Sequence, residues 1–235
     1  MITSYEIFFL YLCLIKKREE KYKMLELRNI YKSFGDVRVL NGVNIHLEKG
    51  FVYTLKGGNG SGKTTLINII SGFLKPDKGT IELKGEKIIR FLPYRVNRKG
   101  IGRTFQDLRL ATQMTVYENI ILALEKKKFT YPDKEQQKQA DKILETVSLT
   151  EKRNELAGEI SYGQQKLLTI GCCIANDADL LLIDEPVAGI DPDNRFKIIQ
   201  LINQLKQKGK TILQIEHHPE YIAETSDYVI QMSEL

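Results

Sequence analysis

The sequence predicts an α/β fold: a mainly parallel sheet covered by helices, with a small antiparallel β lobe and a helical lobe. A glycine-rich loop joins the apolar, β-prone run Phe51–Leu55 to an apolar helical run at Thr64–Phe73. Two later short runs, Leu180–Ile183 and Thr211–Ile215, are apolar and β-prone, and helical stretches flank each of them. Strands that alternate with helices in this way are typical of a parallel sheet, because the connecting helices cover its faces.

The elements outside this alternation account for the two lobes. The runs Leu25–Tyr31 and Val43–Leu47 are strand-like, and a Pro-Asp-Lys-Gly turn leads into a further strand at Thr80–Leu83. Short strands joined by turns predict antiparallel hairpins, which form the β lobe. From about residue 115 to residue 157 the apolar residues instead follow helical spacing. We therefore place the helical lobe at about residues 107–175.

The folded domain is predicted to cover residues 24–235, preceded by an N-terminal extension at residues 1–23. The extension contains one apolar run, Ile7–Ile15, whose nine residues are about half of what a membrane-spanning helix needs. Basic residues at 16–18 follow this run, whereas a secretory signal carries its basic residues before it. We favour a leader or an over-long assigned start before Met24 over an amphipathic segment that touches a membrane.

Composition limits the classes of protein to which the chain can belong. Its 235 residues suffice for one domain core with a lobe, and 42% hydrophobic with 28% charged residues excludes a polytopic membrane protein and a disordered chain. The net charge of +5 is far below that of a protein that coats nucleic acid, so no nucleic-acid partner is expected. Three cysteines without a CxxC pair are not typical of a disulfide framework or a structural zinc site, and they favour a reducing compartment.

The glycine-rich loop matches the pattern GxxxxGK[ST] at every fixed position, which is the pattern of a phosphate-binding P-loop. The matching residues are Gly57, Gly58, Asn59, Gly60, Ser61, Gly62, Lys63 and Thr64, and Thr65 follows them. Its glycines let backbone N–H groups surround a phosphate chain, and the next helix directs the positive end of its dipole at the same group. Lys63 is expected to reach the β- and γ-phosphates, and the Thr64 hydroxyl to bind Mg²⁺. A glycine-rich turn without a ligand is the alternative, which the strand–helix context disfavours.

Two carboxylates follow the apolar strand Leu180–Ile183, at the end of the strand where ligands lie in an α/β sheet. Asp184 is expected to hold Mg²⁺ through water, and Glu185 to act as the base for the water that attacks the γ-phosphate. A lone Asp-Glu pair could equally cap the next helix. Together with the P-loop, the pair indicates a nucleotide hydrolase.

A third segment resembles the LSGGQ signature of the ATP-binding-cassette (ABC) ATPases. Its residues are Ile160, Ser161, Tyr162, Gly163 and Gln164. The segment precedes a helical run that leads into the strand at Leu180, as in that family, and at a helix N-terminus its serine and glycine can approach phosphate oxygens. The resemblance covers Met24 to about Met232. It implies a P-loop NTPase core and an enzyme that binds ATP and Mg²⁺ and hydrolyses ATP.

The resemblance assigns roles to four further residues. Gln106 resembles the Q-loop glutamine, which joins the Mg²⁺ shell and faces the membrane partner, and His217 resembles the switch histidine that contacts the γ-phosphate. Asp191 resembles the D-loop residue that contacts the opposite subunit, although an N-cap of the next helix is also consistent with it. Phe34 occupies the position of an aromatic residue that stacks on adenine, with a core phenylalanine as the alternative. The implied catalytic residues are Glu185, His217 and Gln106.

The strings Gly100–Gln106 and Met114–Asn119, with Tyr162 in place of glycine, resemble the ATPases of branched-chain amino acid importers. The ATPase of lipopolysaccharide export is similar in this region, so an exporter of lipid or lipopolysaccharide is the alternative. Importers usually continue past the position of Leu235 with another hairpin and helix. Between residues 84 and 103, seven basic residues accompany one acidic residue. This basic segment is expected to face lipid headgroups or an acidic loop of a partner, with a solvated surface loop as the alternative.

The resemblance also implies the assembly. The signature segment is too far along the helical lobe to reach the P-loop nucleotide of its own chain. We therefore expect a head-to-tail pair, either a homodimer or a pair with a paralogous ABC ATPase, that encloses two ATP. The further partners implied are two transmembrane permease subunits and, for an importer, a substrate-binding protein, so that the chain is cytoplasmic and peripheral on the inner face of the cell membrane.

Two alternatives of other classes stay open. The first is an ABC protein of translation or DNA repair, which the single P-loop and the absence of sustained heptads disfavour. The second is a regulatory nucleotide-binding module without hydrolysis, which Glu185 and His217 disfavour.

Overall fold

The structure, a computed structural model, describes residues 23–104, 108–124 and 132–235. Its strands are β1 (Lys23–Phe34), β2 (Val37–Glu48), β3 (Val52–Lys56), β4 (Lys78–Leu83), β5 (Glu86–Lys87), β6 (Ile101–Arg103), β7 (Leu180–Asp184), β8 (Thr211–Ile215) and β9 (Tyr228–Gln231). Its α-helices are α1 (Lys63–Ile70), α2 (Pro93–Arg98), α3 (Val116–Leu124), α4 (Lys134–Thr146), α5 (Tyr162–Ala175), α6 (Pro192–Gln207) and α7 (Pro219–Thr225). Short 3₁₀ turns occupy Thr150–Lys152 and Met232–Glu234.

Two sheets organise these elements. A four-stranded antiparallel sheet has the order β2-β1-β4-β5, and a five-stranded sheet has the order β6-β7-β8-β3-β9. Every neighbouring pair in the second sheet is parallel. The helices α3, α4 and α5 pack on one another and form the helical lobe. The predicted α/β class, with a parallel core sheet, a small antiparallel β lobe and a helical lobe, is confirmed.

The parallel sheet separates two hydrophobic cores, because successive side chains of a strand point to opposite faces. Leu181 and Ile183 of β7 belong to the core that the helices α3 to α7 share, whereas Leu180 and Leu182 belong to the core between this sheet, the antiparallel sheet and α1. A strand that is buried on both faces contains only apolar residues at these positions. The continuous apolar run of the sequence is thus explained.

The boundaries of several elements differ from those predicted. The helix expected over Thr64–Phe73 ends at Ile70, because Gly72 adopts a left-handed φ of +76° that stops it. Lys23, assigned to the extension, is already part of β1, while residues 1–22, and the interpretations placed on them, lie outside the described residues. No helix in the described part of the chain is long and apolar enough to cross a membrane.

Candidate active site

Three neighbouring strands of the parallel sheet bring most of the predicted site together. β7, β8 and β3 are adjacent, and because they are parallel, their carboxyl ends meet at one edge of the sheet. The P-loop follows β3, the acidic pair lies at the end of β7, and His217 comes shortly after β8. A cavity of about 420 Å³ opens at this edge. It is lined by Val39, Asn59, Gly60, Ser61, Gly62, Lys63, Thr64, Thr65, Asp184, Glu185, Ile215 and His217.

The P-loop turns through left-handed backbone at two glycines. Gly60 has a φ of +77° and Gly62 a φ of +93°, values that residues with a Cβ rarely adopt. A Cβ at Gly62 would in addition lie 2.8 Å from Leu40 Cδ2. The turn leads directly into α1 at Lys63. Since the first N–H groups of a helix have no intrahelical acceptor, this helix start is suited to bind an anion.

Two polar groups of the loop are buried, the Lys63 side chain and the Ser61 hydroxyl oxygen. Lys63 Nζ donates to the carbonyl oxygens of Gly57 and Gly58, at 2.7 and 2.9 Å, which uses two of the three N–H donors of its ammonium. Ser61 Oγ has no hydrogen-bond partner in the described part of the chain. A buried hydroxyl without a partner costs about 1–3 kcal/mol, which a phosphate oxygen bound in the loop would recover.

Burial governs the electrostatics of the acidic pair. Asp184 is 8% exposed, and desolvation, followed by the nearby charge of Glu185, raises the pKa of its carboxyl against the opposing effect of Arg103 and Lys63. A divalent cation would reverse that shift. The Asp184 carboxylate and the Thr64 hydroxyl line the same cavity, and oxygen ligands of this kind suit Mg²⁺. The residues present therefore fit the predicted cation.

Glu185 has a left-handed backbone, with a φ of +47°. For a residue other than glycine this conformation costs on the order of 1–3 kcal/mol and is concentrated at functional sites. Two hydrogen bonds hold the peptide groups on either side: Glu185 N–H donates to Ile215 O at 3.0 Å, and Lys166 Nζ donates to Glu185 O at 2.6 Å. The carboxylate therefore extends from a fixed backbone into the wall of the cavity.

The signature segment lies apart from this cavity within the same chain. Ser161 caps α5, since its Oγ accepts from Gln164 N–H at 3.3 Å while Gln164 Oε1 accepts from Ser161 N–H at 2.9 Å. Tyr162 is 46% exposed, and Gly163 is buried against Asn194, where a Cβ would lie 2.7 Å from that side chain. None of the signature residues is among the described residues that line the cavity.

The other predicted residues lie beside the site or outside the described part of the chain. Asp191 is the N-cap of α6 and accepts from Asn194 N–H at 2.9 Å, so its role as a helix cap is confirmed and its subunit contact stays a prediction. Phe34 ends β1 with 51% of its surface exposed, and the ammonium of Lys32 lies 5.5 Å from its ring centre. The alternative of a core phenylalanine is therefore wrong. Gln106 lies outside the described residues.

Sequence reasoning missed three residues of this region. Val39 of β2 lines the cavity, and its carbonyl oxygen lies 3.2 Å from the Cβ position of Gly62. Lys166 and Glu216 are charged yet only 7% and 3% exposed. In the sequence, each is a charged residue inside or directly beside an apolar run. A charged residue in such a position is rarely buried without a specific partner, so the pattern indicates one.

Comparisons with known proteins agree with this geometry. A model of the ABC transporter family matches residues 40–188. The chain is 37% identical, over 221 residues, to the probable branched-chain amino acid transport ATP-binding protein LivG of Methanocaldococcus jannaschii. The aligned region covers 89% of this chain and 86% of that protein.

Solved structures are similar in fold. The ADP conformation of MJ1267, an ATP-binding cassette of an ABC transporter, superposes with a TM-score of 0.82 at 37% identity, covering 89% of this chain and 87% of that one. A dimeric post-hydrolysis state of the ATP-binding cassette MJ0796 bound to ADP and Pi gives a TM-score of 0.78 at 27% identity, covering 88% of this chain and 94% of that one. The chain therefore belongs to the ABC transporter family, in which it is an ATP-binding subunit with ATPase activity.

Proposed function

We propose that the chain binds ATP in the cavity, hydrolyses it as one half of a dimer, and thereby drives transport of branched-chain amino acids or a related polar solute through permease subunits. The observation that carries the proposal is the single cavity in which the P-loop, Asp184, Glu185 and His217 meet. The name of the similar LivG protein, which specifies branched-chain amino acid transport, supports the class of solute.

The P-loop holds the phosphate chain of ATP. Backbone N–H groups at the start of α1 donate to phosphate oxygens, and the buried Ser61 hydroxyl gains the partner that it lacks among the described residues. The Lys63 ammonium, which already donates to two carbonyl oxygens of the loop, places a positive charge inside it. Charge and donors together favour a polyphosphate over a neutral ligand.

Phe34 is the residue proposed to stack on adenine. It pairs with Val37 across the β1–β2 hairpin, and Val39, two residues further on, packs against Gly62 of the P-loop. The exposed ring therefore lies at the hairpin tip next to the loop. An aromatic ring in that place can cover the base while the phosphates extend into the cavity.

Thr64 and Asp184, with Gln106 as a further ligand, would hold Mg²⁺. The described residues contain no group of three or more His, Cys, Asp or Glu side chains able to form an all-protein metal site. Mg²⁺ is commonly bound by one or two carboxylates together with substrate phosphates, so this composition agrees with a cation brought in with the nucleotide. When bound, it neutralises phosphate charge during hydrolysis.

Glu185 is proposed to accept the proton of the water that attacks the γ-phosphate. Its backbone is fixed by hydrogen bonds on both sides, and Glu185 lines the cavity together with the P-loop residues. His217, from the neighbouring strand end, contacts the γ-phosphate. Positioning of this kind supplies most of the catalysis in phosphoryl transfer, because the protein forms no covalent intermediate.

A second copy is proposed to complete the site. The signature residues of the same chain do not line the cavity, so the Ser161–Gln164 segment of the other subunit closes over the ATP, and Asp191 contacts that subunit. Only the closed pair makes both sets of phosphate contacts, and ATP therefore stabilises the dimer until hydrolysis removes the γ-phosphate. The dimeric structure of the similar cassette MJ0796 supports this arrangement.

Two permease subunits, with a substrate-binding protein for import, are the proposed membrane partners, which would hold the chain on the inner face of the cell membrane. The basic segment at residues 84–103 would face them or anionic headgroups. Part of its charge is paired, since Lys84 and Lys99 form ion pairs with Asp179 and Glu86. The net positive charge of the segment determines how strongly it attracts an anionic surface.

The substitution Glu185→Gln tests this proposal. It removes the base but keeps the shape of the side chain and both backbone hydrogen bonds. We expect the turnover rate to fall about 10²–10⁴-fold, the usual contribution of a general base, while ATP affinity changes less than twofold. Light scattering during gel filtration should show an ATP-dependent dimer of the variant and a monomer without nucleotide.

Two control variants separate binding from hydrolysis. Lys63→Ala should lose ATP binding, and Ser161→Ala should lose hydrolysis while the isolated monomer still binds nucleotide. Normal hydrolysis by Glu185→Gln would refute the base role, and a variant that stays monomeric with saturating ATP would refute the shared site.

A further inference from the structure

Lys166 of α5 is buried, and its ammonium lies against backbone of the catalytic region. Its Nζ donates to Glu185 O at 2.6 Å and to Ala188 O at 2.7 Å. Burial lowers the pKa of this ammonium, and nearby acidic residues oppose that shift. A lysine is seldom retained in such a place unless specific partners compensate for its lost hydration. Here the partners are two carbonyl groups on either side of the turn that follows β7.

The same ammonium contacts the signature segment. Lys166 Nζ lies 5.1 Å from the ring centre of Tyr162, within the range of a cation–π interaction. The Tyr162 ring in turn lies 3.9 Å from the Cβ position of Gly189, so it packs close to the segment that Lys166 holds. Residues 162 and 166 are one helical turn apart on α5, which places both side chains on one face. The signature tyrosine is therefore linked to the catalytic backbone through one buried cation.

A second buried charge also holds this turn. Glu216, which follows β8, accepts from Val187 N–H at 3.4 Å and from the N–H groups of His217 and His218 at 2.9 and 3.2 Å. The backbone between Glu185 and Ala188 is thus held at its carbonyls by a lysine and at one amide by a carboxylate. Such a double constraint maintains the left-handed conformation of Glu185 against its cost.

We propose that Lys166 is a positioning residue that links the signature segment to Glu185, so that contact between the signature and one ATP is transmitted to the carboxylate beside the other ATP. The inference rests on the proposed function, because it requires the signature and the base of one chain to serve different nucleotides. Its physical basis is the rigidity of α5: over the four residue steps from Tyr162 to Lys166 the helix rises about 6 Å and transmits displacement along its axis. A shift of Tyr162 on dimer closure would therefore move the ammonium that holds Glu185 O.

The substitution Lys166→Met tests the link in the full chain. Methionine fills a similar volume but donates no hydrogen bond, so Glu185 loses one constraint while α5 keeps its packing. A displacement of about 1 Å of a catalytic group can cost 10²-fold in rate. We expect kcat to fall on the order of tenfold to 10²-fold, KM for ATP to stay within twofold, and the dependence of rate on ATP concentration to lose cooperativity. Lys166→Arg, which retains N–H donors, should recover at least part of kcat.

Gln165→Ala is the matched control, because Gln165 donates to Ala157 O at 2.8 Å from the same helix but on the side of the helical lobe. It should keep kcat within twofold. Wild-type kcat in Lys166→Met would overturn the inference, as would an equal loss in Gln165→Ala or a loss confined to KM. If Lys166→Met does not fold, Lys166→Leu, which likewise donates no hydrogen bond, takes its place, and full kcat in that variant would overturn the inference equally. An inactive wild-type protein would instead contradict the proposed function itself.

Discussion

Gly163 of the signature contacts Asn194 of α6, so whether Gly163→Ala lowers or raises the free energy of unfolding depends on the residue at position 194. An alanine Cβ at position 163 would lie 2.7 Å from both Cβ and Nδ2 of Asn194 and 2.8 Å from its Cγ. Separations below about 3 Å between such atoms require one side to move. Asn194 cannot move freely, since its Nδ2 donates to Asp191 Oδ2 at 2.6 Å. We therefore expect Gly163→Ala to destabilise the fold.

Two opposing terms determine the magnitude. Overpacking of a buried contact costs about 1–3 kcal/mol. Alanine in place of glycine inside a helix stabilises by about 0.5–1 kcal/mol, because the unfolded chain then loses less conformational freedom on folding. The difference is a net loss of about 1–2 kcal/mol in the free energy of unfolding. In a chain that carries Asn194→Gly the clashing atoms are absent, and only the favourable helix term remains. There the same Gly163→Ala change should be neutral or stabilising.

The assay is urea denaturation without nucleotide, followed by circular dichroism and by tyrosine fluorescence, for which the chain has 11 tyrosines and no tryptophan. Coincident transitions from the two probes justify a two-state fit. The four chains of the double-mutant cycle then give the coupling energy between positions 163 and 194, and the loss of the hydrogen bond from Asn194 to Asp191 cancels from it. Equal effects of Gly163→Ala in both backgrounds would refute the steric argument.

Two further predictions concern buried polar groups. Tyr221 Oη donates to Gln214 Oε1 at 2.8 Å in a fully buried pair, so Tyr221→Phe should lower the free energy of unfolding by about 1–3 kcal/mol, and an unchanged urea midpoint would contradict this. Burial raises the pKa of the Asp184 carboxyl above its ordinary value of 3.8, so the folded chain binds this proton more tightly than the unfolded chain does. The free energy of unfolding therefore falls as the pH rises from 3.8 through the raised pKa. Asp184→Asn should therefore raise the urea midpoint at pH 7 without nucleotide while ATP hydrolysis is lost; a lower midpoint would contradict the sign.

Features that depend on neighbouring residues were predictable from the sequence. The P-loop is a contiguous pattern because the turn itself demands it: Gly62 needs both a left-handed φ and the space that Leu40 would deny to a Cβ. The strand β7 was predictable from four successive apolar residues, since both of its faces are buried. Ser161 was predictable as a helix cap because its partner, Gln164, lies within one turn.

Features that depend on distant residues were not predictable in the same way. Lys166 acts on carbonyl groups 19 and 22 positions away, and Glu216 on an amide 29 positions away. Only the register between α5, β7 and β8 brings these groups together. Val39 lines the cavity because the antiparallel sheet packs beside the P-loop, and nothing in its local sequence distinguishes it from other strand residues. Single-sequence patterns describe local geometry, so they identify the loop and the acidic pair but not their supports.

Several unfavourable terms meet at one edge of the parallel sheet. Glu185 holds a left-handed backbone, Asp184 and Lys166 have pKa values shifted against their charged forms, and Ser61 Oγ has no partner among the described residues. The two hydrophobic cores on either side of the sheet offset these terms. A ligand that supplies phosphate oxygens and a cation would give the Ser61 hydroxyl a hydrogen-bond partner and stabilise the charged form of the Asp184 carboxylate. Because such a ligand binds only the folded chain, it should raise the free energy of unfolding in proportion to its affinity and concentration.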